Sequence, residues 1–223
     1  MTKKKKILIV EDHPIFRWGL RELINQEDDL MVCGEAEDVK GAWKAIDKLA
    51  PDLIIADITL ENSDGIELVK EINRRGVKIP VLILSMHDQF LYAERAIHAG
   101  ARGYIMKEEA MESVVTAIHQ VLIGKIYLNE NVKEQILFHL SNGPAKRAKS
   151  PIERLTDREL EVFRLIGQGV GSRDIARRLN LSIKTIGTYR ERIKEKLNLK
   201  NANELLRYAV KWEQTGQMPL KKD

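Results

Sequence analysis

A doubly wound parallel α/β sheet followed by a second, smaller all-α domain is the fold class this sequence predicts, on three observations. Through about residue 124, five short apolar runs alternate with five amphipathic segments. The runs are rich in branched side chains and lack the strict alternation of a half-exposed strand, as strands covered on both faces do. Near residue 150 the pattern stops, and the remainder of the chain has helical periodicity only. At 223 residues the chain has room for two domains.

Strands are expected at residues 7–10, 31–36, 53–57, 81–85 and 103–106. The organising run is Leu53-Ile54-Ile55-Ala56-Asp57, set between Pro51-Asp52 and the polar turn Glu61-Asn62-Ser63-Asp64-Gly65. Helical spacing appears in Phe16/Leu20/Leu23/Ile24, Val39/Trp43/Ile46, Ile66/Val69/Ile72, Leu91/Ala96/Ile97 and Val114/Ala117/Ile118/Val121. Strand and helix alternating in this way predict a five-stranded parallel sheet with right-handed crossovers. Residues 1–124 therefore read as one domain and 125–152 as a linker with a helix at 127–140 on Val132, Ile136, Leu137 and Leu140. The stretch 141–151, rich in Gly, Pro, Ser and basic residues, has neither core nor period and reads as an exposed hinge.

The second domain is expected over 153–217, with a tail at 218–223. Thr156-Asp157-Arg158-Glu159 is a capping box that opens a helix with Leu160, Phe163, Leu165 and Ile166 inside. A short helix comes next on Ile175, Ala176 and Leu179, then a turn at Asn180-Leu181, and Ser182 caps a third helix running to about Leu197. Two helices joined by a tight turn, the second long and basic, form a helix-turn-helix. At 100° per residue Ile186, Ile193 and Leu197 fall together, flanked by Tyr189 and Arg190, while Lys184, Thr188, Glu191 and Arg192 point the other way. The first set packs and the second is free to enter a major groove. Lys184, Arg190, Arg192, Lys194 and Lys196 neutralise phosphates on this reading, and base discrimination falls to Thr188, Glu191 and Lys184 or Arg192.

The net charge of +4 hides an asymmetry: residues 1–124 carry −5 and residues 125–223 carry +9. A basic half with few aromatics points to a polyanion such as nucleic acid, and the helix-turn-helix makes double-stranded DNA the expected partner. The single cysteine, Cys33, excludes an internal disulfide and suits a reducing cytoplasm as an inert core residue. Lys3 to Lys6 read as a solvated tail, and the apolar run behind them is too short for a signal segment or a membrane span. A cytoplasmic protein with no membrane partner is expected.

The acidic half explains itself at the strand tips, where open α/β sheets bind ligands. Past the first strand stand Glu11 and Asp12; the third ends in Asp57, the fourth in Ser85, and Lys107 comes directly after the fifth. Three clustered carboxylates repel one another unless a cation joins them, and hard oxygen donors suit Mg2+. A lysine and a hydroxyl beside that ion are what the oxygens of a transferring phosphoryl group need. The set therefore looks built to phosphorylate a carboxylate.

With these residues in order, 6–123 resembles the receiver domain of two-component response regulators. The resemblance implies that Glu11, Asp12, Asp57 and the Thr59 carbonyl hold Mg2+ and that Asp57 accepts phosphate from a sensor histidine kinase. It also implies that Ser85 and Lys107 contact the phosphoryl group, that Ser85 and Tyr104 form a switch, and that Thr59 and His87 govern access of attacking water. Residues 153–214 resemble the LuxR-type helix-turn-helix domain through Leu155-Thr156-x-Arg158-Glu159-x-Glu161-Val162, Ile175-Ala176 and Thr185-Ile186-x-x-Tyr189, which adds Thr185 and Tyr189 to the DNA-binding set. The whole chain thus resembles a NarL/FixJ-type response regulator. Departures are Leu60-Glu61 where Met-Pro is frequent, Gly171 where Ser is common, Gly187 where Lys often stands, and Tyr189 where His is frequent. The last helix carries Leu205, Leu206, Tyr208, Ala209 and Trp212, more apolar surface than one packing face needs, and the resemblance implies a homodimer on DNA through Leu205, Tyr208, Ala209 and Trp212.

Two other classes compete. A phosphatase of the haloacid dehalogenase type needs a second aspartate two residues after the first, where this chain has Thr59. A dimeric DNA-binding regulator that works without phosphorylation has no use for the complete acidic set.

Overall fold

The computed structural model describes residues 3–60, 63–86, 89–141, 151–179 and 181–215. The chain forms two compact units, 1–142 and 143–223. In the first, five parallel strands, β1 (Lys5–Val10), β2 (Leu30–Ala36), β3 (Leu53–Asp57), β6 (Val81–Ser85) and β7 (Gly103–Met106), lie in the order β2-β1-β3-β6-β7. The sheet reverses direction of growth between β1 and β3, which opens a crevice beyond their carboxyl ends. Register places Val10 beside Ala56 and Asp57 beside Leu84, so the tips of the three central strands end level.

Every residue of β3 and β6 is buried, and so are the last four of β1, in keeping with runs apolar on both faces. One face packs α1 (Pro14–Asn25) and α5 (Ala110–Leu122), through Leu20, Ile24, Val114, Ile118 and Val121 against Ile7, Ile9, Leu53, Ile55, Leu82 and Leu84. The remaining helices of the unit include α2 (Val39–Leu49), α3 (Gly65–Arg74) and α4 (Gln89–Ala99). Asp38 and Asp64 cap α2 and α3 by accepting from the Gly41 and Ile66 amides. Trp43 of α2 donates to Glu71 of α3 at 2.8 Å. The side chain of Leu91 lies outside the described residues.

Several details differ from expectation. The second half of the lysine run starts β1, while Lys3 and Lys4 stay exposed ahead of it: Lys5 pairs with Asp52 at 3.1 Å, and Lys6 donates to the Leu49 carbonyl at 2.7 Å. Thr59–Leu60 (β4) and Ser63–Asp64 (β5) form a two-stranded antiparallel sheet where a plain turn was expected. Cys33 is half-buried rather than core, and burial pushes its thiol pKa up, which keeps it protonated. The helix expected at 127–140 is α6 (Glu130–Ser141), because Tyr127 instead lies along Gly103 as a parallel bridge. Val132 is buried but Leu137 is exposed, so the apolar stripe is narrower than its spacing implied; the side chain of Leu140 lies outside the described residues. This helix belongs to the first unit, and the hinge residues 142–150 lie outside the described ones.

The second unit is helical: α7 (Asp157–Gly167), α8 (Ser172–Arg178), α9 (Ile183–Leu197) and α10 (Ala202–Thr215). The capping box of α7 forms in both directions between Thr156 and Glu159. Ser182 caps α9, accepting from the Thr185 amide at 3.0 Å. Among the described residues, no helix is long and apolar enough to cross a membrane.

One expectation is overturned in α10. Leu205, Tyr208, Ala209 and Trp212 are all buried inside the unit, and Trp212 meets the Phe163 ring of α7 at 5.8 Å between centroids. Side chains that complete their own domain's core present no dimer surface; the apolar residue α10 leaves exposed is Leu206. Trp212→Ala is therefore expected to destabilise the second unit by about 3 kcal/mol in urea unfolding of the full chain without altering self-association in sedimentation; unchanged stability with weakened association would show a surface role.

Candidate functional site

The strand tips converge as their order predicts. Glu11 stands just past β1, with its amide donating to the Ala36 carbonyl at 2.9 Å. Asp57 ends β3, Ser85 ends β6, and Lys107 comes after β7 in a short 3-10 turn; Glu11, Asp57, Ser85 and Lys107 are all buried. Lys107 Nζ lies 2.7 Å from Asp57 Oδ2 and 2.6 Å from Glu11 Oε2. One ammonium therefore bridges two carboxylates from different strands. The Thr59 amide donates to Asp57 Oδ1 at 3.3 Å. Tyr104 is buried in β7, with its ring already turned inward. His87 lies outside the described residues.

Three supporting residues are not assigned to the site by the sequence, although Phe16 stands in the helical spacing of α1 and Gly65 in the turn after β3. Phe16 of α1 lies under Lys107 Nζ, 4.8 Å from its ring centroid, and adds a cation–π contact to the buried ammonium. Gly65, the first residue of α3, lies so close to β3 that a Cβ there would sit 2.0 Å from the Asp57 carbonyl oxygen. The glycine after Asp64 in the expected turn was a signal for such close approach. His13 places Nδ1 2.9 Å from both Glu11 Oε1 and Asp12 Oδ1.

Burial dominates the electrostatics. It drives the Asp57 pKa up to about 6; Lys107 opposes this, and Glu11 adds to it. Burial also disfavours the Lys107 charge, but Asp57 and Glu11 overcome it and hold the ammonium above its ordinary pKa. One ligand atom each from Glu11, Asp12, His13 and Asp57 lies within 4.8 Å of the others. Glu11 Oε2 and Asp12 Oδ1 are buried and lack an aligned hydrogen bond, although Lys107 and His13 stand near them as charge contacts. Three clustered carboxylates that share one ammonium keep an excess of negative charge and of oxygen lone pairs, which fits a hard divalent cation such as Mg2+.

On α9, Ile186, Ile193 and Leu197 are buried, Tyr189 and Arg190 half-buried, and Lys184, Thr188, Glu191 and Arg192 exposed or half-buried on the other side. Thr185 is tied into the cap, with its hydroxyl 2.8 Å from that of Ser182. Arg190 reaches Ser172 of α8 at 3.4 Å, and Lys194 pairs with Glu191 at 2.8 Å. Lys196 departs from its expected place among the phosphate-facing residues. It pairs at 2.6 Å with Glu159, the buried capping residue of α7, because that carboxylate needs a cation within the domain. Gly187 lies between Lys184 and Glu191, and a Cβ there would meet nothing within 4 Å.

Residues 7–119 match the family described as response regulator receiver domain, and residues 153–209 match bacterial regulatory proteins, luxR family. The oxygen regulatory protein NreC of Staphylococcus carnosus is 32% identical over 210 residues, spanning 92% of this chain and 97% of that one. Among solved structures, RcsB of Salmonella enterica serovar Typhimurium bound to promoter P1flhDC with the phosphomimetic BeF3− is 28% identical with a TM-score of 0.57. The match covers 93% of this chain and 100% of that one. A structure of two RcsB dimers bound to two parallel DNAs is 27% identical with a TM-score of 0.56, covering 93% of this chain and 98% of that one.

This geometry sets two expected outcomes. A carboxyl whose folded pKa is raised contributes stability at low pH that is lost as pH rises through the folded value. In EDTA, the unfolding free energy of wild type minus that of Asp57→Asn is expected to fall by about 2 kcal/mol between about pH 4 and pH 6; a flat difference would show an ordinary carboxyl. Gly187→Ala is expected to stabilise the second unit by about 0.5–1 kcal/mol in urea unfolding, since a helix interior disfavours glycine and the space is open; destabilisation would mean that the helix needs the glycine.

Proposed function

The chain belongs to the NarL/FixJ-type response regulators, which join a receiver domain to a LuxR-type DNA-binding domain and regulate transcription, and from that premise we propose that Asp57 is its phosphoacceptor. The observation that carries the proposal is the buried Lys107 ammonium held between Asp57 and Glu11. In the reaction, an Asp57 carboxylate oxygen attacks phosphorus in line with the departing group. The bond from phosphorus to the donor imidazole of a sensor histidine kinase breaks as the acyl phosphate forms. Lys107 turns from the carboxylates toward the new phosphoryl oxygens, and the Ser85 hydroxyl donates to another. Burial excludes water from both and strengthens each contact. Glu11, Asp12, Asp57 and the Thr59 carbonyl would hold Mg2+, which when bound offsets negative charge on the phosphoryl oxygens.

Ser85 and Tyr104 then relay the change from β6 and β7 to the neighbouring helical face. The consequence is a homodimer on double-stranded DNA in the cytoplasm, and the RcsB dimers on DNA support that assembly. Two linked half-site contacts raise affinity through effective concentration, without new base contacts. Because Leu205, Tyr208, Ala209 and Trp212 are buried inside their own unit, the apolar side chain α10 can offer a second copy is Leu206. Lys184, Thr188 and Glu191 read the major groove, while Tyr189, Arg190, Arg192 and Lys194 contact the phosphates.

Acetyl phosphate with Mg2+ tests the first half. Wild type is expected to gain a hydroxylamine-labile adduct by phosphate-affinity electrophoresis and Asp57→Asn to gain none; labelling of the variant would move the phosphosite elsewhere. For the second half, Arg192→Ala is expected to weaken binding to duplex DNA and to lower the slope of log affinity against log salt by about 1, measured by fluorescence anisotropy; an unchanged slope would remove Arg192 from the phosphate contacts.

A further inference from the structure

We propose that His13 is a nitrogen donor to the divalent ion of the acidic pair, and that it shifts the site's preference from Mg2+ toward first-row transition ions such as Mn2+. The inference rests on the acidic-site reading above. His13 occupies the N-cap position of α1, yet its side chain makes no capping hydrogen bond. The imidazole turns instead to the carboxylates. Nδ1 stands 2.9 Å from Glu11 Oε1 and 2.9 Å from Asp12 Oδ1, and it belongs to the same 4.8 Å donor cluster as Asp57. Neighbouring ligands of an octahedral ion with bonds of about 2.1 Å lie about 3 Å apart. The spacing of the nitrogen from two carboxylate oxygens therefore suits a third vertex of such an ion.

The backbone holds the ring in place. The His13 amide donates to Glu11 Oε1 at 3.0 Å, and Arg17 Nη1 donates to the Glu11 carbonyl, so residues 11–17 form one bonded unit. Pro14 stands at the first turn of α1, where its fixed φ suits the start of a helix. The other edge of the ring faces solvent, with the side chain 69% exposed; without an ion Nδ1–H donates to Glu11 Oε1 at 2.9 Å, and a bound ion would take the place of that proton. Glu11 Oε2, almost fully buried, has no aligned donor in the cluster. An imidazole added to carboxylates favours transition ions, whereas Mg2+ prefers oxygen alone.

The competing role for His13 is a hydrogen-bond donor that merely aligns the acidic pair. The test uses the untagged full chain, stripped with EDTA and loaded with Mn2+. Pulsed electron paramagnetic resonance is expected to show the nitrogen coupling of one directly bound imidazole in wild type and to lose it in His13→Asn. Competition titrations are expected to show the Mn2+-to-Mg2+ affinity ratio falling roughly tenfold in that variant, with Mg2+ affinity unchanged. A wild-type spectrum without the coupling, a coupling that survives in His13→Asn, or an unaltered ratio overturns the inference while leaving the acidic site intact. Asp12→Asn separates the two: if it weakens neither ion, the acidic-site reading itself fails.

Discussion

Two buried carboxylates sharing one buried ammonium constrain the whole receiver unit. Glu11, Asp57 and Lys107 come from the ends of three strands of one sheet, and each is almost wholly removed from water. Such a cluster is costly to bury and is stable only while its members face one another. The parallel sheet makes that possible because its strands are covered on both faces and all open to the same edge. Gly65 brings α3 against the Asp57 backbone, and Phe16 lies under the ammonium. The site is thus built from the packing that holds the sheet together.

The charge set is also unbalanced, and the imbalance carries the chemistry. One lysine faces Asp57 and Glu11, with Asp12 close by. Glu11, Asp12 and Asp57 would hold a divalent cation, whose charge would leave Lys107 available to a phosphoryl group. The second unit shows the opposite economy. Its buried carboxylate, Glu159, accepts from the Thr156 amide and pairs with Lys196, which ties α7 to α9 and leaves the far side of α9 open. Where the first unit leaves an excess of carboxylate, the second neutralises its own and so fixes α7 against α9.

Much of this was legible in the chain because wholly buried strands and capping boxes are local signals. Strand ends at Val10, Ala36, Asp57, Ser85 and Met106 coincide with the ends of the apolar runs, and the charged or hydroxyl residues at four of these tips marked the site. The parts that were not legible depend on partners distant in sequence. Periodicity shows which residues share a helix face, but not what covers it. Trp212 and Tyr208 therefore looked surplus in the absence of Phe163 and α7, which pack against α10. Lys196 looked like one more phosphate contact because Glu159, its partner, stands 37 residues away, and Leu137 looked internal although the stripe on α6 is narrow. His13 gave no sign of its place beside the acidic pair, because that contact is a matter of ring orientation.

The central claim is that Lys107 bridges Asp57 and Glu11 at rest and transfers to the phosphoryl oxygens on Asp57 when the receiver is modified. The most direct measurement is a crystal structure of the full chain grown with Mg2+ and BeF3−. Density for the fluoride group bonded to an Asp57 carboxylate oxygen, with Lys107 Nζ on a fluorine and withdrawn from Glu11, is the predicted result. Density bonded at any other residue, or Lys107 still joining Glu11 to Asp57 beside a modified carboxylate, would contradict it.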